Sequence, residues 1–197
     1  FIKTDRSIET WGDANNGGNA GNAPLNNTAE VFSTSAAFAA LKQDGSVVTW
    51  GDQNNGGDSS NVNLYNIDTI YANAFSFAAL SQDGNVLTWG ESIRGGDSSA
   101  VNLTNTVKIY STISAFAALK TDDSITTWGE SNSGGDSSTI ESHNIVDVYS
   151  TNNAFAALKK NGTVITWGHS EYGGDSRAVA ESLQPAIEIT VIDTNLP

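Results

Sequence analysis

Ala37-Phe38-Ala39-Ala40-Leu41-Lys42-Gln43-Asp44-Gly45-Ser46-Val47-Val48-Thr49-Trp50-Gly51 is the stretch that decides the fold, because it returns. The same phrase recurs at Ala115 to Gly129 and at Ala154 to Gly168, and looser copies surround Trp11 and Trp89. Trp11, Trp50, Trp89, Trp128 and Trp167 stand 39 residues apart, with no insertion between any pair. A period of this size marks a solenoid, a propeller or an array, in which one unit cannot bury its apolar face alone.

Turn chemistry chooses among these architectures. Asp44-Gly45, Asp83-Gly84 and Asn161-Gly162 each lie between two β-prone runs. Asx-Gly is the usual two-residue hairpin turn, with both central residues at positive φ. Asp5-Arg6 and Asp122-Asp123 hold the same place with poorer chemistry, since Asp tolerates the left-handed region better than Arg does. Each unit is therefore expected to contain an antiparallel hairpin. A third strand is expected before it, at Val31 to Thr34, Thr69 to Ala72, Val107 to Ser111 and Val146 to Ser150.

Three strands and one longer loop per repeat make a short propeller blade, whereas a parallel β-helix would lack the tight hairpin. The expectation is an all-β fold, a five-bladed β-propeller of three-stranded blades, as one domain over residues 1–197. Phe1-Ile2-Lys3 enters the repeat within its second strand, and the last copy offers a first strand at Ile187 to Ile192 without a second Phe-Ala-Ala-Leu. The two incomplete ends are expected to pair as one blade, closing the ring and leaving no open strand edge.

Composition excludes several functions. Nine Lys and Arg against 22 Asp and Glu give a net charge of −13, which repels phosphate backbones and anionic headgroups, so nucleic-acid partners and membrane insertion are not expected. Cys is absent, which removes disulfides, thiolate metal sites and a cysteine nucleophile. The two histidines, His143 and His169, belong to no repeated His-Ser-Asp arrangement, and no carboxylate pair is singled out, so no enzymatic activity and no cofactor is expected. Met is also absent and the first residue is Phe1, so a processed piece of a longer product is expected. An acidic, Asn-, Ser- and Gly-rich, thiol-free chain suits a secreted protein, and Asn26, Asn102 and Asn161 head N-x-Ser/Thr sequons.

Positions constant among the copies are those that every blade needs. Trp11, Trp50, Trp89, Trp128 and Trp167 are expected to plug the gaps between blades, together with Phe38, Phe77, Phe116 and Phe155. The other reading of the tryptophans is a ring of sugar-stacking platforms. Phe32, Tyr71, Tyr110 and Tyr149, each 21 residues after a Trp, form a second aromatic tier, and the Ala residues beside each Phe are expected to let strands crowd near the ring axis. Asp58, Asp97, Asp136 and Asp175 follow each Gly-Gly, with Asn19 in the first copy. They read as Asx turns, the alternative being a calcium site per blade, for which no second acidic position is regularly spaced.

Positions that differ carry what is specific. Between Trp-Gly and Gly-Gly lies a four-residue loop: Asp13 to Asn16, Asp52 to Asn55, Glu91 to Arg94, Glu130 to Ser133 and His169 to Tyr172. Variable loops on a rigid ring are a way to build a recognition surface, and the same variation also fits neutral drift of solvated residues.

The Trp-Gly that closes each hairpin and the Gly-Gly downstream resemble the regulator-of-chromosome-condensation repeat superfamily. The short-blade bacterial branch, with propellers of the β-lactamase inhibitory protein type, is similar in blade length. Thr-Trp-Gly and Gly-Gly-Asp-Ser-Ser tandem repeats of marine organisms are similar in wording. The resemblance implies a propeller, although familiar members have about seven blades, and it implies no single partner. The expected function is a non-enzymatic extracellular binding or structural module that contacts a protein or glycan. A propeller inhibitor of a secreted enzyme and a self-associating subunit of a coat, filament or giant repeat protein are the alternatives.

Overall fold

The structure is a computed structural model that describes residues 1–179 together with Ser182 and Leu183. Its body is four three-stranded antiparallel sheets, each a meander in sequence order. They comprise β1 Thr28–Ser33, β2 Ala37–Lys42 and β3 Val47–Gly51; β4 Ile67–Ala72, β5 Ser76–Ser81 and β6 Val86–Gly90; β7 Thr106–Ser111, β8 Ala115–Lys120 and β9 Ile125–Gly129; β10 Ile145–Ser150, β11 Ala154–Lys159 and β12 Val164–Gly168. All four expected first strands are present. The unit around Trp11 holds an isolated antiparallel bridge, Ile2 to Ile8, among the described residues. The strand expected at Ile187 to Ile192, and with it the closure of the ring, lies outside the described residues.

The hairpin turns differ from the two-residue form. Lys42 N–H donates to the Ser46 carbonyl at 2.9 Å and Gly45 N–H to the Lys42 carbonyl at 3.0 Å, which makes Gln43-Asp44-Gly45 a three-residue loop. Gly45 has φ +79°, and Asp44 is not among the residues at positive φ. In this geometry a type I turn is followed by one left-handed residue, so the second Asx-Gly position alone carries the strain. Arg6 (φ +66°) and Asp123 (φ +61°) occupy that strained place, and the Asp before each does not. Asp44 does other work: its Oδ1 accepts the Ser46 N–H at 3.0 Å and the Ser46 hydroxyl at 2.6 Å.

Each sheet is sandwiched by period-two alternation along its middle strand. Ala37, Ala39 and Leu41 face forward and pack against Phe77, Ala79 and Trp89 of the next sheet. Ala115, Ala117 and Leu119 meet Phe155, Ala157 and Trp167 in the same way. The small residues thus let whole sheets approach. Within each sheet the Phe and Trp stack, as with Phe77 and Trp89 at 5.1 Å between centroids. The indole N–H then reaches back to the previous unit: Trp50, Trp89, Trp128 and Trp167 donate to the carbonyls of Gly17, Gly56, Gly95 and Gly134, each at 3.0 Å. The accepting glycine must lack a side chain, since a Cβ on Gly56 would lie 2.6 Å from Phe77 Cδ2.

Main-chain hydrogen bonds also run from sheet to sheet. Ser35 N–H donates to the Ala74 carbonyl at 3.0 Å, Ala74 N–H to Ile113 at 3.2 Å, and Ile113 N–H to Asn152 at 2.8 Å. At the opposite end of the sheets, Gly45, Gly84 and Asp123 carbonyls accept from Ile67, Thr106 and Ile145 of the following unit.

Candidate functional site

The loops between Trp-Gly and Gly-Gly each fold into a short helical turn: Ala14–Asn16, Gln53–Gly57, Ser92–Arg94, Ser131–Ser133 and Ser170–Tyr172. The residue after Trp-Gly is the cap in every case, with φ between −65° and −69°. Asp13 Oδ1 accepts the Asn15 N–H at 2.9 Å, Asp52 Oδ1 the Asn55 N–H at 3.0 Å, and His169 Nδ1 the Glu171 N–H at 3.3 Å. Glu91 and Glu130, one methylene longer, make no such capping bond and reach sideways instead, Glu91 to Arg94 at 3.6 Å and Glu130 to the Ser133 hydroxyl at 3.3 Å.

The fourth loop residue is an anchor as much as a displayed group. Its carbonyl receives a side-chain hydrogen bond from the same sheet: Thr34 to Asn55 at 3.0 Å, Ser76 to Arg94 at 2.8 Å, Thr112 to Ser133 at 2.8 Å and Thr151 to Tyr172 at 3.0 Å. Asn16 and Asn55 turn their side-chain amides back onto Asp13 and Asp52, each at 2.9 Å, and Ser133 is buried. Of the ten loop residues expected to form the surface, Ser133 is therefore withdrawn from it. Tyr172 is exposed and meets His169 edge to face at 5.0 Å. Arg94 lies half-buried, its guanidinium 3.9 Å from the centre of the Phe75 ring, a cation–π stack.

What the loops display are their second and third residues, which sequence reasoning passed over. Ala14 and Asn15, Gln53 and Asn54, Ser92 and Ile93, Ser131 and Asn132, and Ser170 and Glu171 are all exposed. Ile93 is 71% exposed, an apolar tip beside the Arg94–Phe75 stack. Ile113, also exposed, stands at the turn whose carbonyl receives the N–H of Ala74, the residue before Phe75. The signal was available, because Ile93 is the single apolar residue larger than Ala among those ten tips.

The Gly-Gly-Asp-Ser segment supports the loops from below. Asp58, Asp97 and Asp136 accept the N–H two residues on, at 2.9, 2.9 and 2.8 Å, and Asp175 accepts from Arg177 at 3.0 Å, the Asx-turn geometry. The backbone amides of Ser60, Ser99 and Ser138 hold the first three carboxyls below the usual range, and the Arg177 guanidinium lowers Asp175 to about 2. Thr49, Thr88 and Thr127 pair with the Ser59, Ser98 and Ser137 hydroxyls at 3.0 Å, which gives the Thr of Thr-Trp-Gly and the first Ser of each Asp-Ser a shared structural task.

The two ends of the array differ from its interior. Trp50, Trp89, Trp128 and Trp167 are buried, whereas Trp11, expected in the core with them, is 72% exposed. The other four indoles reach a glycine 33 residues earlier, and no described residue takes that place for Trp11. Phe38 beside it is half-buried while Phe77, Phe116 and Phe155 are buried. A cavity of about 350 Å³ opens there over Phe38, Trp50, Trp11 and Gly17. At the far end Tyr149 is 60% exposed and Ala156 half-buried, although Tyr71 and Tyr110 are covered in part and Ala39, Ala78 and Ala117 in full.

A scan against protein-family models finds no match, and neither does a search of curated proteins. Solved structures do match in fold. The CRINKLY WD40 ectodomain of the Arabidopsis thaliana receptor kinase ACR4 aligns with a TM-score of 0.53 at 16% identity, over 72% of this chain and 52% of that one. The ectodomain of the Physcomitrella patens receptor kinase CR4 gives 0.53 at 16% over 72% and 40%. Prp20p of Saccharomyces cerevisiae, reported with its binding to Gsp1p and histones, gives 0.50 at 17% over 72% and 43%. The chain thus spans about half the length of these propeller proteins or less. The chain shares the all-β propeller fold of these proteins, built of three-stranded antiparallel sheets.

Proposed function

We propose that the chain is a non-enzymatic recognition module, outside the cell, that binds a protein partner through the face carrying the five helical turns. The observation that carries this reading is the contrast within each loop. Cap, anchor carbonyl and left-handed Gly repeat from unit to unit, while the exposed tips change in size and polarity. Fixed backbone with varied tips is how a scaffold separates stability from specificity. The Ile93, Arg94, Phe75 and Ile113 patch supplies the apolar, aromatic and Arg chemistry in which binding energy concentrates at protein interfaces. A partner protein for Prp20p, which shares the fold at low identity, is in keeping with this use of a propeller.

The test is a binding screen of the purified chain against secreted proteins and a glycan array, with Ile93→Asp, Arg94→Ala and Tyr172→Ala alongside. A protein ligand bound by the parent and weakened at least ~10-fold by Ile93→Asp or Arg94→Ala, as for a central anchor residue, is the expected result. A ligand whose binding all three variants leave unchanged, or one found among the glycans alone, overturns it.

A further inference from the structure

The sheets carry different charge at their two ends. At one end the helical turns meet the turns between first and second strands: the N–H groups of Asp52, Glu91, Glu130 and His169 donate to the carbonyls of Ala36, Phe75, Ser114 and Asn153 at 2.9 to 3.1 Å. The hairpin turns lie at the opposite end, across the length of the third strands. Each helical-turn loop brings a carboxylate, from Asp13, Asp52, Glu91, Glu130 or Glu171, and Asp58, Asp97, Asp136 and Asp175 stand exposed behind them. The cations of this end, among the described residues, are Arg94 and Arg177, and each already lies beside a carboxylate, Glu91 or Asp175. The lysines are elsewhere. Lys42, Lys120, Lys159 and Lys160 stand at the hairpin end, where they bind the Pro24 and Asn102 carbonyls, Glu141 and Asp123. Lys3 holds the place of Lys42 in the first unit, and Lys108 lies within β7. Negative charge is therefore concentrated on the loop face, while the carboxylates of the hairpin end are matched by these lysines and Arg6.

Amid these carboxylates stands the exposed apolar tip Ile93, beside Arg94 on the Phe75 ring. Arg94 Nε is buried without a hydrogen-bond partner, Glu91 lying 3.6 Å away, so stacking on Phe75 holds the guanidinium in place. We infer that the partner of this face is a basic protein segment, with Lys and Arg on either side of an apolar side chain that covers Ile93. The inference rests on the reading of the loop face as a protein-binding surface and names the chemistry of what binds there. Charge complementarity selects the occupant. An acidic segment would cover Ile93 as well, but it would bring its own carboxylates against Glu91 and Asp97 of the same loop. A basic one meets acceptors with room to spare, since an ionised carboxylate takes about four hydrogen bonds and the capping bonds of Asp13 and Asp52 leave lone pairs free. The face also steers, because clustered carboxylates speed the approach of a cation, and salt screens the effect.

The copies within the chain supply variants that keep the turns. Asn19 stands for Asp after the first Gly-Gly and accepts the Gly21 N–H at 2.8 Å, and Asn161 stands for Asp in the last hairpin and accepts the Thr163 N–H at 3.1 Å. Asp58→Asn, Asp97→Asn and Asp136→Asn together thus remove charge from the loop face. Asp44→Asn, Asp83→Asn and Asp122→Asn remove the same charge from the hairpin end. The probes are two synthetic peptides of equal length, one with Lys and Arg around a central Leu-Phe, the other with Glu in place of each cation. Fluorescence anisotropy across a range of salt reads their binding. The basic peptide should bind the parent, weaken about 10-fold or more with the loop-face variant, and change less than about 2-fold with the hairpin-end variant. Ile93→Ser should weaken it too, but not a basic peptide with Ser-Ser in place of Leu-Phe. Preference for the acidic peptide, binding of neither, or equal losses in the two charge variants overturns the inference. The broader reading has its own failure, a protein ligand whose binding Ile93→Asp, Arg94→Ala and Tyr172→Ala all leave unchanged, so the two are told apart.

Discussion

Trp128 and Trp11 hold the same place in the repeat, yet one is 4% exposed and the other 72%. Trp128 stacks on Phe116 at 5.1 Å and donates to Gly95 of the unit before it. Trp11 has its own hairpin bridge and its own Gly12, but among the described residues it has neither a Phe to stack on nor a glycine carbonyl to receive its indole. The difference teaches that burial in this molecule belongs to the junction between units, since the same Trp-Gly motif meets opposite environments depending on what is packed around it.

The sharpest way to break that comparison is to truncate both side chains. Trp128→Ala should cost ~3–5 kcal/mol in urea unfolding, the usual range for emptying a packed aromatic site. Trp11→Ala should cost about 0.5 kcal/mol or less. Equal losses would mean that Trp11 is packed in solution.

The glycines sharpen it further because backbone strain is matched. Gly95 has φ +103° and Gly173 φ +102°, but only the first would drive a Cβ to 2.6 Å from a Phe116 ring carbon. Gly173→Ala should cost about 1–2 kcal/mol, the left-handed penalty alone. Gly95→Ala should cost about 1–3 kcal/mol beyond that, from overpacking against the ring. Thermal melts of the two variants side by side isolate the clash from the strain.

A smaller effect of opposite sign is expected within the first unit. Arg6 sits at φ +66° where Gly45, Gly84 and Gly162 stand in other copies, so Arg6→Gly should stabilise by roughly 1 kcal/mol in the same melts.

The smallest effect is the pH response of the turns. Ser hydroxyls and amides lower the Asp5, Asp44 and Asp122 carboxyls, and Arg177 lowers Asp175 to about 2. A depressed folded value gives stability that is complete above the ordinary carboxylate range and lost as pH falls through the folded value. The melting temperature should therefore hold above about pH 5 and decline from about pH 4 towards pH 2, with salt weakening the drop because these groups are exposed.

Period, strand count and hairpin direction were legible in the sequence because each is set inside one unit. The first strands, β1, β4, β7 and β10, lie where the spacing placed them. Other features depend on neighbours and were hidden. The turn type was misread because Asp44 acts through its carboxylate, not through its φ. Asn27, Asn66, Asn105 and Asn144, all left-handed at φ +55° to +60°, recur every 39 residues and open each first strand, a period passed over beside the louder tryptophans. Ser133 looks like a displayed residue in sequence, and only the Thr112 hydroxyl on its carbonyl and the Glu130 and Asn153 side chains around its own hydroxyl reveal it as an anchor. The exposed tip Ile93 needed the helical turn to lift it clear.

The bonds that pass from Ser35 through Ala74 and Ile113 to Asn152 use only amide and carbonyl groups, so they ask nothing of the side chains at those turns. A whole module can therefore be added or removed and leave every joint chemically the same, since each joint involves only neighbouring units. The uniform spacing of the tryptophans is the mark such an accounting leaves on a lineage, with length free to vary in steps and phase held fixed.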